Sequence, residues 1–348
     1  MGYKVFQWAS GMVGRHTARV AMQRDSLELV GMHVFSPDKI GKDAGELIGK
    51  ESTGLVATGS LDAVIASDAD VVIHTPLPSM VYGENPDQDL DDFCALLAAG
   101  KNVITVVGYM YPKVYGEEVV KRLHDACIEG GSSFHSTGLN PGWLGDLIPL
   151  TMSALCETVN HAHVLEISSF EFYPSPEIMF DSMGFNSSPQ AFEASSARRT
   201  RWLNGLFSES VQMVADGMQM DVTDIVSTQN LALAQEDLET AAGTVRKGTV
   251  AGQHWRWAGV TAQGEERVVH ETVWRMHNTV APDWPQGKHS IRFQGSPDMK
   301  LEFEADFAWM SDSFLGTAMH AANAIPYVVD APPGIQTFLD LPWIMCRQ

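Results

Sequence analysis

The chain has 348 residues, of which 45% are hydrophobic and 19% are charged, and its formal net charge at pH 7 is -20. This composition is typical of a globular protein large enough for two domains. The acidic balance argues against nucleic acid and anionic membranes as partners, and no apolar run reaches the roughly 20 residues that cross a bilayer.

The four cysteines lie far apart and form no Cys-x-x-Cys pair; they are Cys94, Cys127, Cys156 and Cys346. We expect them to be reduced and mostly buried. The first predicted strand begins at Tyr3, which leaves no room for a signal peptide before it. We therefore expect a cytoplasmic protein.

The first 24 residues predict a strand, a glycine-bearing turn and an amphipathic helix. After the apolar strand at residues 3–8, Ala9, Gly11 and Gly14 follow the spacing of the dinucleotide fingerprint, with Ala in the first Gly place. A small first residue permits the tight turn, Gly11 allows a pyrophosphate to approach the backbone, and Gly14 allows the helix to pack on the strand.

The start of this predicted helix is the candidate pyrophosphate site. The N–H groups from Met12 and Val13 onward have no partner within the helix, so they would face the anion. An ordinary strand-to-helix turn is the alternative interpretation. The place of the turn, ahead of a second predicted strand, favours a nicotinamide dinucleotide.

The second strand, residues 27–35, ends where the cofactor ribose is expected. An acidic residue there would accept a hydrogen bond from the ribose 2′-OH and favour NAD. Ser36 and Lys39, with Arg15 on the first helix, would instead hold the 2′-phosphate of NADP, whereas Asp38 favours NAD. We expect NADP as the preferred cofactor, with NAD as the alternative.

Strands and helices alternate through the remainder of the first 145 residues. The predicted strands are 69–76, 102–107 and 132–136, and helices begin at Ser60 and span 89–99 and 117–129. This alternation predicts an α/β fold with a Rossmann-type, doubly wound parallel sheet. We expect a dinucleotide-binding domain over residues 1–145.

The carboxyl ends of these strands supply further candidates for cofactor contacts, because such ends converge on one crevice in a doubly wound fold. They are Thr75, Pro76, Val107, Gly108, Asn140, Pro141 and Gly142. The amide of Asn140 could bond the cofactor carboxamide or the substrate, and a plain loop is the alternative.

The pattern changes after about residue 145. Predicted elements are a helix at 146–156, a strand-rich portion from 161, a helix near 208–217, alternating runs at 250–260, 266–280, 289–294 and 299–307, and a helix at 313–323 ended by Ile325-Pro326. These runs predict a second α+β domain with an open antiparallel or mixed sheet. We expect a substrate-binding and oligomerisation domain at 146–308, followed by a C-terminal segment at 309–348.

Several side chains are candidates for chemistry near the expected crevice. Acid/base candidates are Tyr109, Tyr111, His135, Glu171 and Tyr173, and apolar candidates for lining a substrate site are Trp143, Phe172, Met179, Phe180, Met183 and Phe185. Each would also suit ordinary packing.

Other site chemistries find little support in the sequence. His161 and His163 alternate on one predicted strand without a third ligand at recognisable spacing, so we expect no metal site. No Gly-x-Ser-x-Gly motif is present, which leaves hydrolase chemistry without support.

The sequence resembles the dihydrodipicolinate-reductase-like oxidoreductases, which include 2,4-diaminopentanoate dehydrogenase and the native amine dehydrogenases. The motifs that carry the resemblance lie at 8–14, 100–103, 137–142, 175–177 with 183–185, and 321–326 with 331–334. The resemblance implies a Rossmann domain completed by the C-terminal segment, and a middle domain whose sheet builds a homodimer. It also implies an active site between the domains and reversible hydride transfer at a carbon bearing nitrogen.

One departure from the family bears on the mechanism. Amine dehydrogenases of this family use an acidic residue on the loop after the Gly-Lys-Asn-Val strand, but here residues 106–112 contain no carboxylate, and the next is Glu117. Tyr109 is therefore our first candidate for the general acid, and Glu171 and Tyr173 are second candidates.

We thus expect an NAD(P)-dependent, amine-dehydrogenase-like oxidoreductase, with reductive amination as its reverse reaction. It would transfer hydride to or from a C=N or C=O carbon of a small, fairly apolar substrate. The alternatives are a carbonyl or imine reductase without amination activity, and a non-catalytic NADP-binding sensor.

Overall fold

The computed structural model describes residues 2–304 and 310–346, with the side chains of 310–313 excepted. The chain forms two compact units. The first unit comprises residues 1–143 and 313–348, and the second unit comprises residues 144–312.

The strands and the helices of the described residues are each numbered in chain order. Strands are β1 (Tyr3–Trp8), β2 (Leu27–His33), β3 (Val71–His74), β4 (Asn102–Thr105), β5 (Ser133–Ser136), β6 (Thr158–Ser169), β7 (Asp224–Leu233), β8 (Leu238–Thr240), β9 (Gly243–Val245), β10 (Val250–Val260), β11 (Glu266–Arg275), β12 (His289–Ser296), β13 (Met299–Phe303) and β14 (Gly334–Gln336). Helices are α1 (Met12–Gln23), α2 (Ala44–Leu47), α3 (Leu61–Ile65), α4 (Ser79–Tyr82), α5 (Gln88–Ala98), α6 (Glu117–Gly130), α7 (Ile148–Ser153), α8 (Pro189–Ser195), α9 (Ala197–Gly217) and α10 (Met310–Val329).

The first unit is built on a six-stranded sheet in the order β14-β5-β4-β3-β1-β2, and every strand pair is parallel. The chain runs from β1 outward to β2 and then crosses to β3 on the other side of β1. This reversal is the topological switch point at which doubly wound sheets bind ligands. The prediction of a Rossmann-type fold is confirmed.

Both faces of this sheet are buried, as parallel sheets require. Val5, Ile73 and Ile104 pack with α1 and with buried residues of α10 on one face. Phe6 and Val72 pack with α5 and α6 on the other face. The C-terminal helix therefore belongs to the layer that covers the parallel sheet.

The prediction that the last helix ends at Ile325-Pro326 is wrong, because α10 runs from Met310 to Val329 with Pro326 inside it. A proline removes one backbone donor from a helix. The turn continues here because the Asp330 N–H donates to the Pro326 carbonyl at 3.2 Å, and because Ile325 and Val328 are buried against the sheet.

The second unit is built on a mixed six-stranded sheet in the order β13-β12-β6-β11-β10-β7. Only the β6–β11 pair is parallel, and the other pairs are antiparallel. Helix α9 covers one face, where Phe207 stacks on Trp257 at 4.2 Å and meets His270 edge-on. The predicted open mixed sheet is confirmed.

The opposite face of this sheet carries a polar cluster. Glu271 lies 2.8 Å from His163 Nε2 and 2.7 Å from His254 Nε2. Burial alone would raise the pKa of Glu271, but these hydrogen bonds and charges hold it at about 2. His161 shares this face with His163. Among the described residues, no three His, Cys, Asp or Glu side chains are arranged so that they could hold a metal ion.

Several element boundaries differ from the prediction. The helix predicted near 208–217 begins at Ala197, and the run predicted to reach residue 280 ends at Arg275. The helix predicted at 146–156 is an irregular turn over Leu139–Leu147 followed by α7. The strand predicted at 299–307 ends at Phe303, and its last residues, 305–307, lie outside the described residues.

The cysteines are free, as expected, but most of them are not buried. Cys127 is buried, Cys94 and Cys156 are half-buried, and Cys346 is exposed. No helix in the described part of the chain has the length and apolar character of a membrane span.

Candidate functional site

The turn between β1 and α1 has two glycines with opposite surroundings. A Cβ on Gly14 would lie 2.2 Å from the Ala9 carbonyl oxygen, so only glycine fits beneath the turn. A Cβ on Gly11, the N-cap of α1, would meet no atom within 4 Å. Gly11 therefore leaves an open cradle in front of the helix N-terminus, which fits the close approach of a pyrophosphate.

Helix α1 suits an anion at its start. Gly11 supplies no side-chain cap, and the first turn holds no acidic residue. Met12 is exposed and Val13 is half-buried. The N–H groups of the first turn and the positive end of the helix dipole would thus suit an anion.

A buried amide that the sequence analysis did not identify supports this turn. The Gln7 Nε2 group donates to Thr75 Oγ1 at 2.9 Å and to the Ala9 carbonyl at 3.1 Å. The Thr17 hydroxyl donates to Gln7 Oε1. One side chain thereby connects β1, the end of β3 and α1, and its only signal in the sequence is a polar residue inside an apolar strand.

The loop after β2 approaches the same turn. Lys39 Nζ lies 3.4 Å from Ser10 Oγ, although Lys39 follows Ser10 by 29 residues in the chain. Ser36 is half-buried, and Arg15 is exposed on the first turns of α1. The structure thus brings Lys39 to the glycine turn.

The ends of β3 and β4 place the next predicted cofactor residues. Thr75 is buried and donates to the Trp8 carbonyl at 3.0 Å, and Pro76 is half-buried after it. Val107 and Gly108 are buried after β4. All four follow strands that flank or neighbour β1, at the switch-point edge of the sheet.

Tyr109 has an unusual backbone conformation, with φ of 66° in the left-handed region. Its ring is buried and meets Phe93 edge-on at 5.6 Å and Tyr115 at 4.9 Å. Non-glycine residues in this region cost free energy and cluster at functional sites. The role of Tyr109 as general acid stays a prediction.

The turn at residues 137–142 is held from α10. Thr137 Oγ1 shares a hydrogen bond of 2.5 Å with His320 Nδ1, and the Leu139 N–H donates to Thr317 Oγ1 at 3.3 Å. A Cβ on Gly138 would lie 2.6 Å from the Pro141 carbonyl, so the turn closes tightly on itself. His320 is a site-supporting residue that sequence reasoning missed.

The remaining predicted residues of this turn are buried or half-buried. Asn140 is half-buried, Pro141 and Gly142 are buried, and Gly142 has φ of 127°. Trp143 is half-buried, and its N–H donates to the Gly138 carbonyl at 2.9 Å.

The other two acid/base candidates of the first unit, His135 and Tyr111, each interact with a neighbouring residue. His135 is buried, and burial lowers its pKa to about 4. Its Nδ1 lies 2.8 Å from the Gln336 carbonyl, so Nδ1 carries the proton. Lys113 lies over the Tyr111 ring at 5.9 Å.

The second unit holds the other predicted catalytic residues. Glu171 follows β6, and its Oε1 lies 3.6 Å from His277 Nε2. The Thr279 N–H donates to His277 Nδ1 at 3.2 Å, so the proton of a neutral His277 lies on Nε2 and faces Glu171. Tyr173 is buried, and its ring meets Phe170 edge-on at 6.4 Å.

The predicted substrate residues of this unit differ in exposure. Phe172 is exposed, Met183 is half-buried, and Met179 is completely buried. Phe172 is accessible to a ligand, whereas Met179 is part of the interior packing.

A buried acid lies beneath the end of β3. Asp89 Oδ1 is 3.6 Å from His74 Nε2, and its Oδ2 accepts from the Ser79 N–H at 2.7 Å. Burial raises the pKa of Asp89 to about 6 and lowers that of His74 to about 3. The two groups are therefore both neutral at mildly acidic pH.

Replacing Asp89 with Asn should stabilise the protein at pH 7.5 by about 2 kcal/mol. A carboxyl whose folded pKa exceeds its unfolded value loses stability as pH rises from about 4 to 6, and a shift of this size corresponds to about 3 kcal/mol. Loss of the carboxylate's attraction to the N-terminus of α5 offsets part of the gain.

The measurement is the thermal midpoint between pH 4 and 7.5, with Asp87→Asn as the control on the exposed side of the same helix end. The Asp89→Asn profile should be the flatter of the two. An unchanged slope would assign the pH dependence to other groups.

Comparison with known proteins agrees with this architecture. Residues 8–85 match the family model described as the N-terminus of dihydrodipicolinate reductase. Residues 143–347 match the model of the 2,4-diaminopentanoate dehydrogenase C-terminal domain. The second match alone covers more than half of the chain.

Relatives match along almost the whole length. An amine dehydrogenase from Streptomyces virginiae is 27% identical over 357 residues, which cover 96% of this chain and 95% of the relative. A 2,4-diaminopentanoate dehydrogenase from Acetoanaerobium sticklandii is 23% identical, with 97% and 93% covered. The structure of an amine dehydrogenase from Mycobacterium smegmatis shares the fold, with a TM-score of 0.81 at 17% identity and coverage of 100% and 98%.

The parallel sheet, its glycine turn and these matches define an NAD(P)-dependent dehydrogenase. The chain belongs to the family of the 2,4-diaminopentanoate dehydrogenase C-terminal domain, preceded by a dihydrodipicolinate-reductase-type N-terminal domain. The resemblance noted in the sequence is confirmed.

Proposed function

We propose that this chain is an NADP-preferring, amine-dehydrogenase-like oxidoreductase acting at a C=N or C=O carbon of a small, fairly apolar substrate. The observation that carries the proposal is the open cradle at Gly11 before helix α1, in a chain of this family. A bound NAD(P)⁺ would supply the hydride acceptor for the amine carbon, and addition of water would give the ketone or aldehyde with ammonium and one proton.

The first unit supplies the binding groups in this proposal. The N–H groups of Met12 and Val13 hold the pyrophosphate. Lys39 and Ser36 hold the 2′-phosphate together with Arg15, and the position of Lys39 beside Ser10 favours NADP over NAD. An acceptor for the ribose 2′-OH is supplied by Asp38 in the competing NAD arrangement.

The turn at 137–142 orients the nicotinamide in this proposal, and the residues after β3 and β4 shape the edge beside it. His320 positions this turn through Thr137. These contacts fix the reacting carbon and reduce the entropy lost in reaching the transition state.

Proton transfer is assigned to Tyr109 first, and to Glu171 or Tyr173 second. The amine reaction needs a group that accepts a proton from ammonium or water. Because residues 106–112 lack a carboxylate, Glu171 is the group that would restore this capacity, with His277 beside it.

A carbonyl or imine reductase without amination activity is the second candidate function. The same missing carboxylate favours it, since a phenol can protonate a developing alkoxide without activating ammonia. The third candidate is a non-catalytic sensor that binds NADP, since the missing carboxylate is also consistent with a protein that has lost catalysis.

We also propose a cytoplasmic homodimer. Its support is the resemblance together with Val226, which is exposed on β7, the outer strand of the second-unit sheet. Light scattering of the purified chain tests the dimer, and a monomer at micromolar concentration would exclude it.

The test of the function is cofactor turnover in both directions. NADP⁺ and NAD⁺ are offered with a panel of small aliphatic amines, and NADPH and NADH with the matching ketones and aldehydes, with and without ammonia at high pH. Ammonia-dependent oxidation of NADPH supports the amine reaction, and ammonia-independent oxidation supports the carbonyl reductase. Tight NADPH binding without turnover of any substrate would favour the sensor.

A further inference from the structure

One aromatic side chain beside the glycine turn is exposed without an evident structural reason. Phe35 follows β2 by two residues and is 59% exposed, whereas Val34 before it is buried and Ser36 after it is half-buried. A single exposed apolar side chain needs no explanation by its exposure alone. Its surroundings distinguish it.

The Phe35 ring packs against two buried rings, those of His33 and Trp8. It meets the His33 ring edge-on at 5.0 Å with an interplanar angle of 80°, and the Trp8 ring at 6.4 Å. His33 itself stacks on Trp8 at 4.0 Å with an angle of 16°. Burial lowers the pKa of His33 to about 4, so this support is uncharged at neutral pH. Phe35 is therefore held in place while its outer surface stays accessible.

The position of Phe35 matches the nucleoside end of a dinucleotide. Trp8 and His33 are the last residues of β1 and β2 and are paired in register. Phe35 lies in the loop that carries Lys39 to Ser10. The ribose of a dinucleotide lies at the end of the second strand, so the attached base falls beside this loop.

We infer that Phe35 is the stacking platform for the adenine base of the bound cofactor. This inference rests on the proposed function and extends it to a residue that the glycine turn does not include. A flat aromatic ring fixed by two buried neighbours loses little conformational entropy on stacking. Base stacking on such a ring contributes affinity without regard to the 2′-phosphate.

The experiment is calorimetric titration of the full chain with two adenine probes, ADP and adenosine 2′,5′-bisphosphate. Phe35→Ala should weaken the binding of both probes about tenfold, the range expected for loss of one aromatic–base stack. Lys39→Ala should weaken only the 2′-phosphorylated probe. Trp343→Ala, which removes another exposed aromatic ring of the first unit, should change neither.

A second pair of variants separates stacking from packing. Phe35→Leu keeps an apolar side chain against His33 and Trp8 but removes the ring, whereas Phe35→Tyr keeps the ring. Proton NMR of bound ADP should show upfield ring-current shifts of adenine H2 and H8 with the wild-type chain and with Phe35→Tyr. These shifts should be absent with Phe35→Leu.

The outcomes are separable. If the wild-type chain binds both probes and Phe35→Ala and Phe35→Leu bind them equally well, the adenine platform is wrong and the proposed function stands. If the wild-type chain binds neither probe nor NADP⁺ or NAD⁺ at millimolar concentration, the proposed cofactor use fails and the platform fails with it.

Discussion

One added methyl group at Gly11 should weaken NADP⁺ binding about a hundredfold and leave the fold intact. Gly11 has φ of -69° and ψ of -171°, a conformation open to any residue. A Cβ there contacts no protein atom within 4 Å, so it points into the space proposed for the pyrophosphate. Displacing the phosphates from the helix N–H groups removes charge-assisted hydrogen bonds of about 1.5–3 kcal/mol each.

The same methyl group at Gly14 should act on folding instead. Its Cβ would lie 2.2 Å from the Ala9 carbonyl oxygen and 2.9 Å from Thr75 Oγ1. The backbone of the turn must move to accept it, at a cost of about 3 kcal/mol. Gly14→Ala should therefore lower the thermal midpoint, and any loss of binding should accompany that change.

Calorimetric titration with NADP⁺ and differential scanning calorimetry measure the two effects separately. Gly316→Ala is the control, because its Cβ would make ordinary contacts of 3.5 Å or more with Leu139, and alanine favours a helix. Full NADP⁺ affinity in a folded Gly11→Ala variant would remove the glycine cradle from the cofactor site. Unchanged stability in Gly14→Ala would show that the turn relaxes more readily than its packing indicates.

The sequence predicted those features that depend on neighbours along the chain. The spacing of Gly11 and Gly14 defines the turn before any contact is known, and alternating strands and helices define the parallel sheet. The mixed sheet of the second unit also follows from period-two runs such as 250–260, which coincides with β10. In each case the local pattern and the tertiary structure require the same conformation.

The features that the sequence did not predict depend on contacts between distant residues. Gln7 reaches Thr75 on β3, and His320 reaches Thr137 across more than 180 positions of the chain. The low helix propensity of Pro326 predicts a helix end, yet α10 continues past it because Ile325 and Val328 are buried. Phe35 could be recognised only when its support by His33 was known.

Removal of a single hydroxyl group from Tyr109 should lower kcat about a hundredfold or more if its phenol is the general acid, the range in which a positioned proton donor contributes. Phenylalanine retains the ring that packs on Phe93 and Tyr115, so this aromatic packing should be preserved. The backbone of Tyr109 is held at φ of 66°, and such strain is maintained only where the surrounding structure imposes it.

Tyr115→Phe is the matched control, since it removes a phenol from the ring in contact with Tyr109. The measurement is kcat and kcat/KM against pH, with whichever substrate of the amine and carbonyl panel is turned over. A Tyr109→Phe variant with wild-type kcat would eliminate the phenol and transfer the role to the second unit. Glu171→Gln should then show the large loss. Retention of activity by Tyr109→Phe together with its loss by Glu171→Gln would favour the amine reaction. That reaction needs a group that accepts a proton from ammonium or water, and a carboxylate can do so.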